Sequence, residues 1–230
     1  MRYSNRKTSE RKDASLAVHP FPIPEPDPKV DAELAALGLP SQVILTTALL
    51  FSEAERRGCT ENDPGILKGM IGSGRGIRSL REQLRPLKWH REEPKSLPLV
   101  TSPDRQIALT LATGDENAGR EGTPFARTKW RKGPMLTEWV APSRQISLLD
   151  ADENGEPEKR PDLWILLVQR TTTQVLAELS QPTAVGSGDH LVFAGKRIFL
   201  TPISIDQTQY HDDEDEGDDF ESPDVPVERL

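Results

Sequence analysis

The sequence predicts an α+β protein: a small helical segment, then an antiparallel β-rich domain carrying a long polar loop, with disordered termini. Three observations predict it. Apolar residues recur at three- and four-residue spacing between about Val30 and Leu84, as one helix face requires. Aliphatic runs bounded by turn residues follow, at Gln106–Leu111, Leu163–Gln169, Gln174–Leu179 and Leu191–Thr201. Finally, apolar residues make up only 35% of the chain, below the usual ~45–50% of globular domains counted with Gly. Part of the chain is therefore expected to stay outside a packed core.

Residues 1–27 read as a disordered arm and linker. The arm is basic at first, with Arg2, Arg6, Lys7, Arg11 and Lys12 against Glu10. From Pro20 to Pro28 proline alternates, which fixes φ and favours an extended chain. Residues 28–95 form the helical segment. A short helix, Val30–Leu37, is closed by Gly38 and Pro40. Ser41 suits the N-cap of the next, whose apolar face is Val43, Ile44, Thr47, Leu50, Phe51 and Ala54. Asp63 with Pro64 reads as an N-cap followed by proline at the first helical position. Gly72, Gly74 and Gly76 are expected to interrupt this helix before a further one, Ile77–Leu84, which Pro86 ends or kinks.

Residues 96–206 form the β-rich domain. Gln106–Leu111 alternates as a strand does, and Gln145–Leu149 reads as a short one. Leu163–Gln169, Gln174–Leu179 and Leu191–Thr201 are expected to form an antiparallel meander. Residues 207–230 carry too few apolar groups to offset the entropy of ordering and read as a disordered acidic tail.

The formal net charge of −8 averages opposed blocks. Residues 206–230 hold eleven Asp or Glu against one Arg, a net of −10, which leaves +2 for residues 1–205. Residues 56–91 hold nine Lys or Arg against three acids. Within that block Arg75, Arg78, Arg81, Arg85, Lys88 and Arg91 recur at three and four, a row able to track phosphates, and Trp89 and His90 close it. The glycines Gly69, Gly72, Gly74 and Gly76 suggest a phosphate loop. No strand precedes them, however, and no Gly-Lys-Ser/Thr ending follows, so an inter-helix turn is the plainer reading.

The stretch from Thr113 to Pro134 is the most distinctive. It opens acidic with Asp115 and Glu116, a pair suited to a divalent cation such as Mg²⁺. It closes basic with Arg127, Lys129, Arg131 and Lys132, suited to phosphate. The plainer alternative is a loop that neutralises itself and packs through Phe125 and Trp130. Thr113-Gly114-Asp115-Glu116-Asn117, Thr128-Lys129, Lys132-Gly133-Pro134 and Gln145-Ile146-Ser147-Leu148-Leu149, with later segments up to Ile203, resemble a pattern in uncharacterised bacterial proteins, some on mobile or integrated elements. The resemblance spans about residues 105–206. It implies that loop and meander form one unit, and it implies no activity.

Enzyme signatures are sparse. Cys59 is the only cysteine, so neither an internal disulfide nor a Cys/His zinc site is expected. Asp162 with Glu178 suggests a metal-nuclease core, but Ser180 stands where a lysine is wanted. Asp162 reads better as a strand-edge turn residue and Glu178 as outward-facing. The longest apolar run, Leu163–Val168, is far short of the ~20 residues that span a bilayer. No secretory h-region follows the first basic residues, so a cytoplasmic protein is the default expectation. The functional expectation is a non-enzymatic binding or assembly subunit without a cofactor, acting on nucleic acid or a nucleoprotein partner, in a mobile-element or defence setting. The alternatives are a metal-dependent phosphodiesterase using Asp115 and Glu116, and a protein–protein adaptor that engages partners through the acidic tail.

Overall fold

The computed structural model describes residues 21–140 and 160–205. The basic arm up to residue 20, the expected strand Gln145–Leu149, nearly all of Asp150–Pro161 and the acidic tail lie outside the described residues. Of the proline-rich linker, Phe21 is half-buried against the core, with the Arg57 guanidinium 5.0 Å from its ring centre.

The first helix, α1 (Pro28–Ala36), starts where the Asp27 carboxylate accepts the Lys29 N–H and proline takes the first position. Helix α2 (Gln42–Arg57) has Ser41 at its N-cap, but Ser41 makes no side-chain cap. The open Gln42 N–H is met instead by Asp31 of α1, at 2.7 Å, which ties the two helices together. Helix α3 (Gly65–Leu84) begins one residue later than expected. Pro64 is its N-cap, and Asp63 accepts the Thr60 N–H within the preceding turn.

The glycine cluster does not interrupt α3, because two of its glycines form the seam with α2. Ser52 Oγ donates to the Gly72 carbonyl at 2.6 Å. A Cβ on Gly76 would lie 2.8 Å from Leu111 Cδ1 and 3.4 Å from Ser52 Cβ. The close approach of the helices outweighs the helix-propensity cost of glycine, about 1 kcal/mol per site. Pro86 then forces a 3₁₀ turn, Arg85–Leu87, and Lys88 reverses the chain at φ +63°.

Among the described residues seven strands make the main sheet. These are β1 (His90–Glu92), β2 (Leu99–Thr101), β3 (Ile107–Thr113), β5 (Asp162–Arg170), β6 (Gln174–Ser180), β9 (Arg197–Phe199) and β10 (Ile203–Ser204). The order is β1-β2-β3-β5-β6, and β9 and β10 share the far edge of β6. The β5–β6 hairpin is antiparallel as expected, from Ile165 opposite Ser180 to Arg170 opposite Val175. Two expectations change. Strand β3 pairs parallel with β5, Ile107 against Asp162 through Thr113 against Val168, so the sheet is mixed and the long loop lies in its crossover. The third strand of the expected meander is split. Leu191–Phe193 (β8) joins a small sheet between β4 (Ala126–Arg127) and β7 (Ala184–Val185), and only Arg197–Phe199 returns to β6. The chain turns between them at Gly195, where a Cβ would sit 2.9 Å from the Thr183 methyl.

Strand β5 reads as an unbroken apolar run because both its faces are covered. Trp164, Leu166 and Val168 share one core with Leu45, Leu49 and Leu80 of the helices. Leu163, Ile165 and Leu167 share the other with Ala118, Ala126, Leu191, Phe193 and Leu136 of α4 (Pro134–Val140). The class is α+β in three layers: helices, main sheet, then loop with small sheet. One core joins the helical segment to the β-rich domain.

Candidate nucleic-acid interface

The site is built on the long loop, and what holds that loop is a buried ion pair. Gly114 prolongs β3, its N–H donating to the Val168 carbonyl at 2.8 Å. There the two ends of the loop meet in antiparallel contact. Asp115 N–H donates to Arg127 O and Lys129 N–H to Thr113 O, each at 2.9 Å. Asp115 Oδ1 accepts the Asn117 N–H at 3.2 Å, closing a turn. Gly119, at φ +68°, then passes directly over β6, where a Cβ would lie 2.7 Å from the Ala177 nitrogen.

Beneath it lies Glu178, fully buried and not outward-facing as the sequence suggested. The Gly119 N–H donates to Glu178 Oε2 at 3.0 Å. Arg197, almost as buried, reaches the same oxygen at 2.6 Å. The rest of its guanidinium donates to the Thr123 carbonyl at 2.8 Å and the Asn117 carbonyl at 3.1 Å. A buried charge needs such full satisfaction. Here it fixes both limbs of the loop to β6. Ser180 Oγ donates to Glu178 Oε1 at 3.0 Å, so both carboxylate oxygens are occupied. Glu178 also faces Leu167, five residues along β5 from Asp162, a separation of about 17 Å at ~3.3 Å per residue. The two acids therefore form no nuclease core.

On the returning limb the side chains alternate. Ala126 and Thr128 point inward and are buried, and Thr128 Oγ1 accepts the Leu191 N–H at 3.1 Å. Arg127 and Lys129 point outward and are exposed. The Arg127 guanidinium lies 5.0 Å from the Phe125 ring centre, and Lys129 Nζ lies 5.3 Å from that of Trp130. Trp130 is 60% exposed and does not pack on the sheet. Arg131 continues the exposed face. Among the described residues no carboxylate lies within ion-pair distance of Arg127, Lys129 or Arg131. Lys132 differs, since it is half-buried and burial lowers its ammonium pKa.

Comparison with protein-family models, curated proteins and solved structures finds no match to this chain.

The second basic group is spent largely within the fold. Arg78 pairs with Glu82 at 2.8 Å, Arg81 with Glu93 at 2.8 Å, Arg91 with Glu93 at 3.0 Å and Arg75 with Glu55 at 3.5 Å. Arg81 also donates to the Leu99 carbonyl at 3.2 Å. Arg56 and Arg57 surround Glu53, together with Arg170 from the β5–β6 hairpin at 3.0 Å. Burial pushes the Glu53 carboxyl up, but these arginines outweigh it and hold it at about 2. Arg85 and Lys88 are exposed, with no carboxylate partner among the described residues. The helix carrying this row covers one face of the sheet and the loop covers the other, so the two basic groups do not form one surface.

Among the described residues Asp115 and Glu116 have no third ligand beside them. Among the described residues no group of three or more His, Cys, Asp or Glu is placed to hold a metal ion. Nor is any described helix long and apolar enough to cross a membrane. Sequence reasoning missed Arg197. The one available signal was Glu178 within the apolar run of β6, which demanded a buried cation that sequence spacing does not identify.

Proposed function

We propose that this chain is a non-enzymatic binding subunit that holds single-stranded nucleic acid, free or in a nucleoprotein complex, on the face made by Phe125, Arg127, Lys129, Trp130 and Arg131. The observation that carries it is the pairing of exposed cations, without a carboxylate partner among the described residues, with the exposed Trp130 ring and the half-buried Phe125 ring on a limb clamped by the buried Glu178–Arg197 pair. A base stacked on an aromatic side chain contributes about 1–3 kcal/mol without regard to sequence. Cations alongside neutralise phosphates and make affinity fall with salt.

Three phosphate contacts on a single strand correspond to a log–log salt slope of about −2 and a loss of about twentyfold from 50 to 200 mM salt. Fluorescence anisotropy with single- and double-stranded DNA and RNA tests the reading. Expected are salt-sensitive binding that favours single strands and a 5- to 150-fold loss in Trp130→Ala, roughly one stacked base. Intact probe with no binding at low salt would overturn it in favour of a protein partner. Degraded probe would move the reading to a phosphodiesterase.

A further inference from the structure

We infer that the acidic segment 206–230 occupies the same basic–aromatic face and competes there with nucleic acid. The inference rests on the proposed function for its consequence, but not for the contact itself. Charge selects the face. In the helical row Arg75, Arg78, Arg81 and Arg91 already have Glu55, Glu82 and Glu93 as partners, which leaves Arg85 and Lys88 against the three cations of the loop. The loop face presents Arg127, Lys129 and Arg131 with none among the described residues. Residues 212–221 offer eight carboxylates in ten positions, with Phe220 among them. Closely spaced anions beside a ring present the same chemistry as a strand of phosphates and bases.

Topology supplies the reach. Lys129 N–H is bonded to Thr113 at the end of β3. From Thr113 the sheet passes to Val168 of β5, to Ala177 of β6, and so to Ile203 of β10, which faces Val175. Four lateral spacings of ~4.8 Å, with the offset along β6 from Ala177 to Thr173, whose carbonyl accepts the Ile205 N–H, place Ile205 on the order of 20–25 Å from Lys129, at the same end of the sheet. Seven residues from Ile205 to Asp212 span at most about 23–25 Å. Sixteen residues from Ile205 to Glu221 span at most about 53–58 Å, so the chain length is enough for the acidic block to reach the face. Tethering at this length holds it at about millimolar effective concentration, so weak individual ion pairs suffice. The contact is screened by salt, as the nucleic-acid contact is.

The test uses the full chain with every Asp and Glu of 212–221 changed to Asn or Gln. Its affinity for a single-stranded oligothymidine is expected to exceed that of the unmodified chain by tenfold or more at 50 mM salt, the gap shrinking at 300 mM. A labelled peptide of residues 206–230 is expected to bind the neutralised chain, to be displaced by the oligonucleotide, and to lose binding when Arg127→Glu and Lys129→Glu are introduced. Equal oligonucleotide affinity for both chains, or peptide binding indifferent to the charge reversal, would overturn the inference while leaving the nucleic-acid reading intact. Peptide binding with no oligonucleotide binding by either chain would overturn the nucleic-acid reading and leave only the intramolecular contact.

Discussion

Two buried glutamates set the character of this molecule at the level of single residues. Glu178 carries its charge beneath the loop, and its bonds to Arg197, Gly119 and Ser180 leave neither oxygen open. Glu178→Gln leaves Arg197 buried without its counter-charge, and breaking a buried pair from one side costs about 3–5 kcal/mol. A urea unfolding midpoint within error of the unmodified protein would contradict that. Glu53 predicts a pH dependence. Its carboxyl titrates at about 2 against an ordinary 4.5, with burial opposing the shift and Arg56, Arg170 and Arg57 producing it. A carboxyl depressed in the folded state contributes stability that is fully present above pH ~4.5 and is lost as pH falls toward 2, in total about 3 kcal/mol. Glu53→Gln is expected to lower stability at neutral pH and to flatten the acid-unfolding curve in that window. A variant curve that falls as steeply would contradict the assignment. Neither partnership was legible in the sequence. A glutamate among apolar residues announces a buried charge, but Arg170 lies 117 positions from Glu53, and only the folded sheet brings them together.

At the level of elements, α3 separates what glycine does for packing from what it costs. Gly72 and Gly76 face α2, while a Cβ on Gly69 or Gly74 would meet nothing within 4 Å. Gly69→Ala and Gly74→Ala are therefore expected to raise stability by about 0.5–1 kcal/mol each, through helix propensity and a less flexible unfolded chain. Gly119→Ala is the opposite case, because its φ of +68° and its contact with the β6 backbone leave no room. It is expected to destabilise the protein and release the loop, read as accelerated amide exchange from Ala118 to Lys129. The helices and the β5–β6 hairpin were legible because periodicity and turn residues are local signals. The unbroken α3 was not, since its glycines look like a break until the facing Ser52 is known. The split of Leu191–Thr201 between two sheets was hidden for the same reason. The turn at Gly195 depends on Thr183, a contact that periodicity does not register.

For the molecule as a whole, three layers decide which charges face solvent unpaired. The helical layer absorbs most of its arginines in ion pairs, and the loop layer holds Arg127, Lys129 and Arg131 outward beside two aromatic rings. The sequence marked both basic groups, and the acidic opening at Asp115 and Glu116, without ranking them. Ranking needs the pairing partners and the face of the sheet on which each group lies. Binding through the loop face is tested most directly by an anisotropy titration of one fluorescent single-stranded oligonucleotide with the unmodified chain, Arg127→Ala/Lys129→Ala and Arg78→Ala/Arg81→Ala, each at 50 and 200 mM salt. The loop variant is expected to lose affinity at least tenfold, with a salt slope shallower by about 1.4, two single-strand phosphate contacts. The helix variant should bind within twofold of the unmodified chain. The reverse order, or equal binding by all three proteins, would contradict binding through that face.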